Sequence, residues 1–266
     1  MSSLTGKICV VTGASRGIGK GIAMGLGEAG ATVYVTGRTV QEGSAPLPGT
    51  IGATAEEVTR RGGKGIAVQV DHGDDRQVEA LFERVRAEQD GLDILVNNVF
   101  KVPDEPVWEG EFWKHPISIW DDMVGIGLRA HYVASHHAAP MMLGRTGALI
   151  VNVSSRGAAG YTHSVAYGVG KIGVDRLAQD MAVELESHGV AAVSIWPSAV
   201  KTEFILEQVA QGKAKIDPTR AQSPLLSGRA VVALATDPNL MSRTGQVLKV
   251  ADLKAEYGFE DEESIP

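Results

Sequence analysis

Seven short runs rich in β-branched and other apolar residues punctuate this chain, with segments of helical period lying between most of them. They are "KICVVTG", "ATVYVTG", "GIAVQVD", "LDILVNN", "GALIVNVSS", "VAAVSIWP" and, as a candidate last strand, "GQVLKVA". Each is nearly continuous in apolar residues rather than alternating, which is the pattern of strands buried on both faces. Parallel neighbours cannot be joined by a tight turn, so helices must cross over and cover the sheet. The alternation therefore predicts an α/β fold with a doubly wound parallel sheet and helices on both faces. No linker divides the 266 residues, so a single domain over 1–266 is expected.

The helix candidates carry their own signatures. "IGKGIAMGLGEAG" follows the first strand, and "TAEEVTRRGG" places Thr54 and Glu57 at capping-box spacing. "DRQVEALFERVRAEQDG" aligns Val78, Leu81, Phe82 and Val85 on one face. Longer stripes run through Ile119, Met123, Ile126, Ala130 and Val133, and through Val174, Leu177, Ala178, Met181 and Leu185. Two stretches interrupt the rhythm, at about 41–52 and 100–116. The acidic ending "GFEDEESIP" is expected to be mobile.

Charge and composition narrow the partners. A net charge of −7 argues against nucleic acid, whose phosphates need a basic surface. The one cysteine, Cys9, can form no internal disulfide, which fits a reducing cytoplasm. The start "MSSLTGKICVVTG" lacks the features of a signal peptide. No apolar run approaches the ~18 residues of a membrane span, so no membrane association is expected.

The first strand runs into "VVTGASRGIGKG", with Gly13, Gly17 and Gly19 around Ser15, Arg16 and Ile18. Glycines at a first βα junction allow a tight turn, and the following helix N-terminus faces a pyrophosphate. At the end of the second strand a carboxylate would bind a ribose 2′-OH and repel a 2′-phosphate. Here "VYVTGRT" supplies Gly37 and Arg38 instead. Arg38 with Arg16 can clamp a phosphate, so NADP(H) is expected over NAD(H). Asp71 ends the third strand, where it fits either an adenine contact or a helix cap that Asp74 could equally supply. Asn97 and Asn98 end the fourth, able to tie neighbouring strands or to line the cofactor crevice.

Further on, "AYGVGK" sets Tyr167 and Lys171 four residues apart, on one face of a helix. A free phenol has a pKa of ~10, and a nearby ammonium favours its phenolate. The pair follows a strand ending in Ser154 and Ser155, whose hydroxyls could share a proton with a reacting oxygen.

Taken together, "TGASRGIG", "LVNN", "NVSS" ahead of "YGVGK", and "WPSAVKT" resemble the short-chain dehydrogenase/reductase family, in its order and over about residues 6 to 250. The resemblance implies a Rossmann-type sheet of about seven strands. It implies hydride transfer between a nicotinamide and a carbonyl or alcohol, here written as an NADP(H)-dependent carbonyl reductase. Tyr167 would be the acid/base, and Lys171 would bind the nicotinamide ribose and lower the tyrosine pKa. A serine would hold the substrate oxygen, while Val200 and Thr202 would meet the nicotinamide end. Strand register points to Ser155, whereas the family's usual spacing back from the tyrosine points to Ser154. Register is harder to shift than loop length, so Ser155 is favoured. Substrate loops are expected at about 100–116 and 202–225, the second with a mobile lid after Thr202. The family usually assembles as a homodimer or homotetramer through its two long helices.

Several positions depart from the family pattern. Gly127 stands where an asparagine usually holds a water linked to the lysine. "NNVF" replaces "NNAG", putting Val99 and Phe100 near the cofactor. Ser198 replaces a glycine after Pro197, and "VAD" a glycine-rich ending. These keep a second function open, a cofactor-binding sensor or scaffold with vestigial catalysis. Phe100, Trp108, Phe112, Trp113 and Trp120 crowd one region, as a pocket wall or as an anchor for a long loop. Glu203, Glu207 and Lys201 could be plain solvated charges. His131, His136 and His137 share one helix without a further ligand at zinc spacing, so no metal is expected and a surface or subunit contact is.

Overall fold

A computed structural model describes residues 3–103, 110–214 and 216–261. All seven apolar runs are strands: β1 (Ile8–Val11), β2 (Thr32–Gly37), β3 (Lys64–Gln69), β4 (Ile94–Asn97), β5 (Ala148–Val153), β6 (Val190–Trp196) and β7 (Val247–Lys249). They form one parallel sheet in the order β3-β2-β1-β4-β5-β6-β7. This is the expected Rossmann-type architecture. β1, β4, β5 and nearly all of β6 are buried on both faces, which is why those runs read as continuously apolar.

Helices cover both faces. The first three are α1 (Gly17–Glu28), α2 (Ile51–Arg60) and α3 (Asp75–Glu88). Then α4 (Ser118–Trp120) leads through a π-helical stretch, Asp121–Arg129, into α5 (Ala130–Met142). The chain continues with α6 (Val165–Leu185), α7 (Glu203–Ala210), α8 (Pro224–Ala235) and α9 (Val250–Tyr257). One core cluster packs α1 and α8 on the sheet through Ile22, Leu26, Leu226 and Leu234. The other packs α3 and α5 through Val78, Leu81, Phe82 and Met142. Side chains of this size contribute ~1.5–3 kcal/mol each when fully buried.

Backbones of α1 and α8 nearly touch. A Cβ on Gly21 would lie 2.1 Å from the Pro224 carbonyl group, and one on Gly25 would lie 2.7 Å from the Gly228 carbonyl carbon. The glycine-rich composition of α1 thus serves close packing, at the cost of helix propensity.

The capping-box expectation at Thr54 is corrected. Helix α2 begins three residues earlier, at Ile51, with the Thr50 side chain accepting from the Ala53 N–H. Thr54 is buried inside the helix. The loop just before this start is held by the Arg16 guanidinium. Asp74 caps α3 by accepting from the Arg76 N–H. In the acidic ending, Asp261 accepts from the Ser223 backbone N–H and hydroxyl at the start of α8, so that residue is tied down. Residues 262–266 lie outside the described residues.

Chain order reverses at β1, which has β2 on one side and β4 on the other. In open α/β sheets the crevice for ligands opens there, beyond the carboxyl ends of the strands. The glycine turn, the two asparagines and the two serines all leave the sheet at that edge.

Candidate active site

Gly13 has φ +64° and Gly17 φ +58°, where an L side chain is strained. A Cβ on Gly13 would stand 2.7 Å from the Val99 Cα, and one on Gly19 only 2.3 Å from the Asn98 amide nitrogen. Asn98 fixes the turn by donating from Nδ2 to the Thr12 and Gly13 carbonyls, both at 2.9 Å. Asn97 points the other way. Its Nδ2 donates to Ser135 Oγ and to Asn152 Oδ1, both at 2.8 Å, inside the core. Of the two roles open to these asparagines, the Asn97 amide takes the strand tie, and that of Asn98 borders the glycine turn. Ile18 packs its side chain against the core. Ser15 is buried, with its carbonyl facing Thr54 Oγ1.

No side chain caps the start of α1 from its N-cap residue, Arg16. Instead the carboxylate of Glu203, the first residue of α7, accepts from the Gly17 N–H at 2.8 Å. An anion thus already occupies the helix N-terminus. Thr202 caps α7 by accepting from the Ile205 N–H, and its methyl group lies 3.4 Å from a Cβ built on Gly17. Val200 is buried, and its carbonyl accepts from the Thr202 N–H at 2.8 Å. A cavity of about 480 Å³ opens beside this contact, bordered by Gly17, Lys20, Lys201 and Glu203. It runs along α1 and does not reach Tyr167.

The two arginines part company. Arg16 donates to the Leu47, Pro48 and Gly49 carbonyls and to Thr39 Oγ1, pinning the loop before α2. The Arg16 guanidinium is thus engaged by the loop backbone, with the Arg38 charge still acting on it from nearby. Arg38 remains exposed, 4.0 Å from the Asp71 carboxylate. Asp71 also accepts from the Gly73 N–H at 2.9 Å.

At the ends of β5 and α6 the structure brings Ser155, Tyr167 and Lys171 together. Ser155 Oγ lies 2.8 Å from Tyr167 OH and accepts from the Gly157 N–H at 3.1 Å. Ser154 turns away and donates to the Lys171 carbonyl. Ser164 caps α6, accepting from the Tyr167 N–H, so the tyrosine sits in the helix's first turn. Lys171 is buried, donating to the Val153 carbonyl at 3.2 Å.

The electrostatics differ from the sequence expectation. Burial pushes the Tyr167 phenol up from its ordinary value, with the Ser155 hydrogen bond opposing. Burial pulls Lys171 down to about 8, with the Asp175 carboxylate opposing. Desolvation of both groups therefore outweighs the mutual effect expected from their spacing. Asp175 lies one further turn along α6, held by Ser194 Oγ at 2.5 Å and by Trp196 Nε1.

Two histidines at the site escaped the sequence reading, and Phe100, expected near the cofactor, joins them. His131, expected at a surface, is buried, and its Nε2 donates to the Val99 carbonyl at 3.0 Å. Burial and the Lys171 charge depress it to about 3, so it stays neutral. Its position four residues after Gly127, on the buried face, was the available signal. His163 has φ +65°, the positive φ of a non-glycine residue, and meets the Tyr167 ring edge-on at 5.1 Å. Phe100 meets the same ring at 6.1 Å and 90°. Of the other clustered aromatics, Phe112, Trp113 and Trp120 are exposed. Trp108 lies outside the described residues. Among the described residues no group of three His, Cys, Asp or Glu is placed to hold a metal ion, and no helix is long and apolar enough to cross a membrane.

Comparison with known proteins covers the same ground. The family model described as short chain dehydrogenase matches residues 7–212. Mouse dehydrogenase/reductase SDR family member 1 is 44% identical over 278 aligned positions, covering 100% of this chain and 86% of the mouse protein. A short chain dehydrogenase from Mycobacterium thermoresistibile superposes with a TM-score of 0.83 at 29% identity, over 97% of this chain and 89% of that one. A 3-oxoacyl-[acyl-carrier protein] reductase from Brucella melitensis, solved in complex with NAD, superposes with a TM-score of 0.79 at 24% identity. That match covers 92% of this chain and 95% of the other, and shares the fold.

Proposed function

Because this chain belongs to the short-chain dehydrogenase family, we propose that it is an NADP(H)-preferring oxidoreductase that interconverts a carbonyl compound and its alcohol. The observation that carries this is the 2.8 Å contact between Ser155 Oγ and Tyr167 OH, with the buried Lys171 one helical turn on. The residues at the crevice fit a dinucleotide: Gly13 and Gly19 leave a cradle that a Cβ would fill, and α1 presents its N-terminus there. Gly13, Ser15, Arg16, Gly17, Ile18 and Gly19 would line its pyrophosphate side through their backbone, with Asn98 rather than Asn97 bracing the turn. Val200 and Thr202 would border its nicotinamide end. Arg38, exposed and without a carboxylate at the end of β2, supports NADP(H). Asp71 would border the adenine.

When bound, the nicotinamide supplies or accepts the hydride. Ser155 orients the substrate oxygen, and Tyr167 OH gives its proton to that oxygen during reduction. A phenol held above its ordinary pKa stays protonated at neutral pH, as reduction requires. Lys171 supplies positive charge behind the phenol as negative charge develops. The buried, free Cys9 fits a reducing cytoplasm. Exposed Tyr132 on α5, with Val169 and Ile172 on α6, supports a homodimer or homotetramer.

The test is NADPH and NADH oxidation against a panel of ketones, aldehydes and quinones, with Tyr167→Phe as the control. Turnover that falls ~10²-fold or more in the control is expected. Cofactor binding with no turnover of any compound would favour a sensor or scaffold instead.

A further inference from the structure

The Phe100 ring packs tightly against the bare backbone of Gly127. Gly127 is buried in the π-helical stretch, and a Cβ there would stand 3.2 and 3.4 Å from two ring carbons of Phe100. The same ring lies under the Lys171 ammonium, 4.9 Å from Nζ to the ring centroid, and meets the Tyr167 ring edge-on. Lys171 is thus enclosed by the Phe100 face and by the Val153 carbonyl to which it donates. Extending the function proposed above, we propose that Phe100 is a positioning residue for Lys171. Its ring, admitted by the absent side chain of Gly127, holds the ammonium on its π face and closes that flank of the site to water.

Two physical effects follow from one ring. The quadrupole of its face favours the ammonium over the neutral amine. Its apolar bulk withholds water, which favours the neutral amine. Among the described residues, other charged and titratable groups facing Lys171 are few. On α6 they are Tyr167 and Asp175, and on α5 the neutral His131. On the Phe100 loop, Lys101 is paired with Asp122 at 2.8 Å. The net position of Lys171, about 8, places its titration in an accessible range.

Leucine and alanine separate the two effects. Phe100→Leu keeps the site dry but removes the π face, so the Lys171 midpoint should fall by about 0.5 to 1 pH unit. Phe100→Ala admits water, so the midpoint should rise toward that of a solvated lysine. Phe100→Tyr keeps the face and should leave it in place. The measurement is the pH titration of the Lys171 Cε resonance in the full chain, read beside the alkaline limb of kcat/KM for reduction. Burial pushes Tyr167 up and Lys171 down, so a limb set by Lys171 should move with the resonance. Opposite shifts for leucine and alanine support the proposal. Equal midpoints in all three variants, or equal shifts for leucine and alanine, overturn it whatever the turnover. Undiminished turnover in Tyr167→Phe would instead overturn the function proposed above, while the resonance still decides the role of Phe100.

Discussion

The contact between Glu203 and the Gly17 N–H sets two properties against each other. A charge-assisted hydrogen bond in the first turn of a helix contributes ~0.3–1 kcal/mol at an exposed site and up to ~2 kcal/mol when partly buried. Glu203 is partly exposed, so ~0.5–1 kcal/mol is the appropriate range after screening. If the cofactor pyrophosphate uses the same N–H group, the carboxylate must leave before it binds. Replacing Glu203 with glutamine keeps shape and a neutral acceptor but removes the competing charge. NADPH should then bind about two- to fivefold more tightly, the exponential of that free energy over RT. The unliganded protein should lose the same stabilisation, lowering Tm by ~1–3 °C for a chain of this size. Isothermal titration gives the first quantity, and thermal unfolding without cofactor gives the second. The gain in affinity should shrink as salt rises, because a half-exposed carboxylate is screened. Weaker or unchanged NADPH binding in Glu203→Gln would refute the competition, and an unchanged Tm would show that the contact contributes nothing to the fold.

Arg38→Asp should move the ratio of kcat/KM for NADPH and NADH toward NADH by ~10-fold or more; an unaltered ratio removes Arg38 from the cofactor site. Ser155→Ala should lower kcat by ~10²-fold, more than Ser154→Ala, whose hydroxyl faces the Lys171 carbonyl; the reverse ranking in steady-state kinetics would exchange their roles. Gly21→Ala should cost ~1–3 kcal/mol in urea unfolding by prising α8 from α1, and a neutral effect would mean the two backbones can part freely.

How much of this was legible in the sequence depended on how local the cause was. The strands were readable because burial on both faces leaves continuous apolar runs, as in β1, β4 and β5, whereas their registers had to come from the fold. Helix α3 was readable because Val78, Leu81, Phe82 and Val85 are all buried on one face. The start of α2 was not, since Thr50 caps it at the end of a loop held by Arg16, a residue distant in sequence. Asn97 and Asn98 are adjacent and chemically identical, yet successive residues leave a strand on opposite sides. Only the pairing of Asn97 with Asn152 across β4 and β5 decides which one borders the glycine turn. The burial of Tyr167 and Lys171 likewise depends on β5, α5 and the loop after β4, so spacing along α6 alone gave the wrong sign for the phenol.

The departures at "NNVF" and Gly127 looked like separate losses in the sequence, one adding bulk near the cofactor and one removing an amide from the lysine's surroundings. In the fold they are a single exchange, because the ring of one fills the space left by the other. This exchange predicts a sign that independent losses would not. Gly127→Asn should damage turnover by forcing the Phe100 ring off Lys171, and adding Phe100→Ala should recover part of that damage by giving the amide room. Residues in contact commonly couple by ~0.5–3 kcal/mol, so a recovery of several-fold in kcat/KM is the expected scale. If the two substitutions are additive, the positions are independent and the exchange is not a functional unit. If they couple, the site has replaced a polar branch behind its lysine with an aromatic wall, and a charged Lys171 then depends on Asp175 and on the face of Phe100.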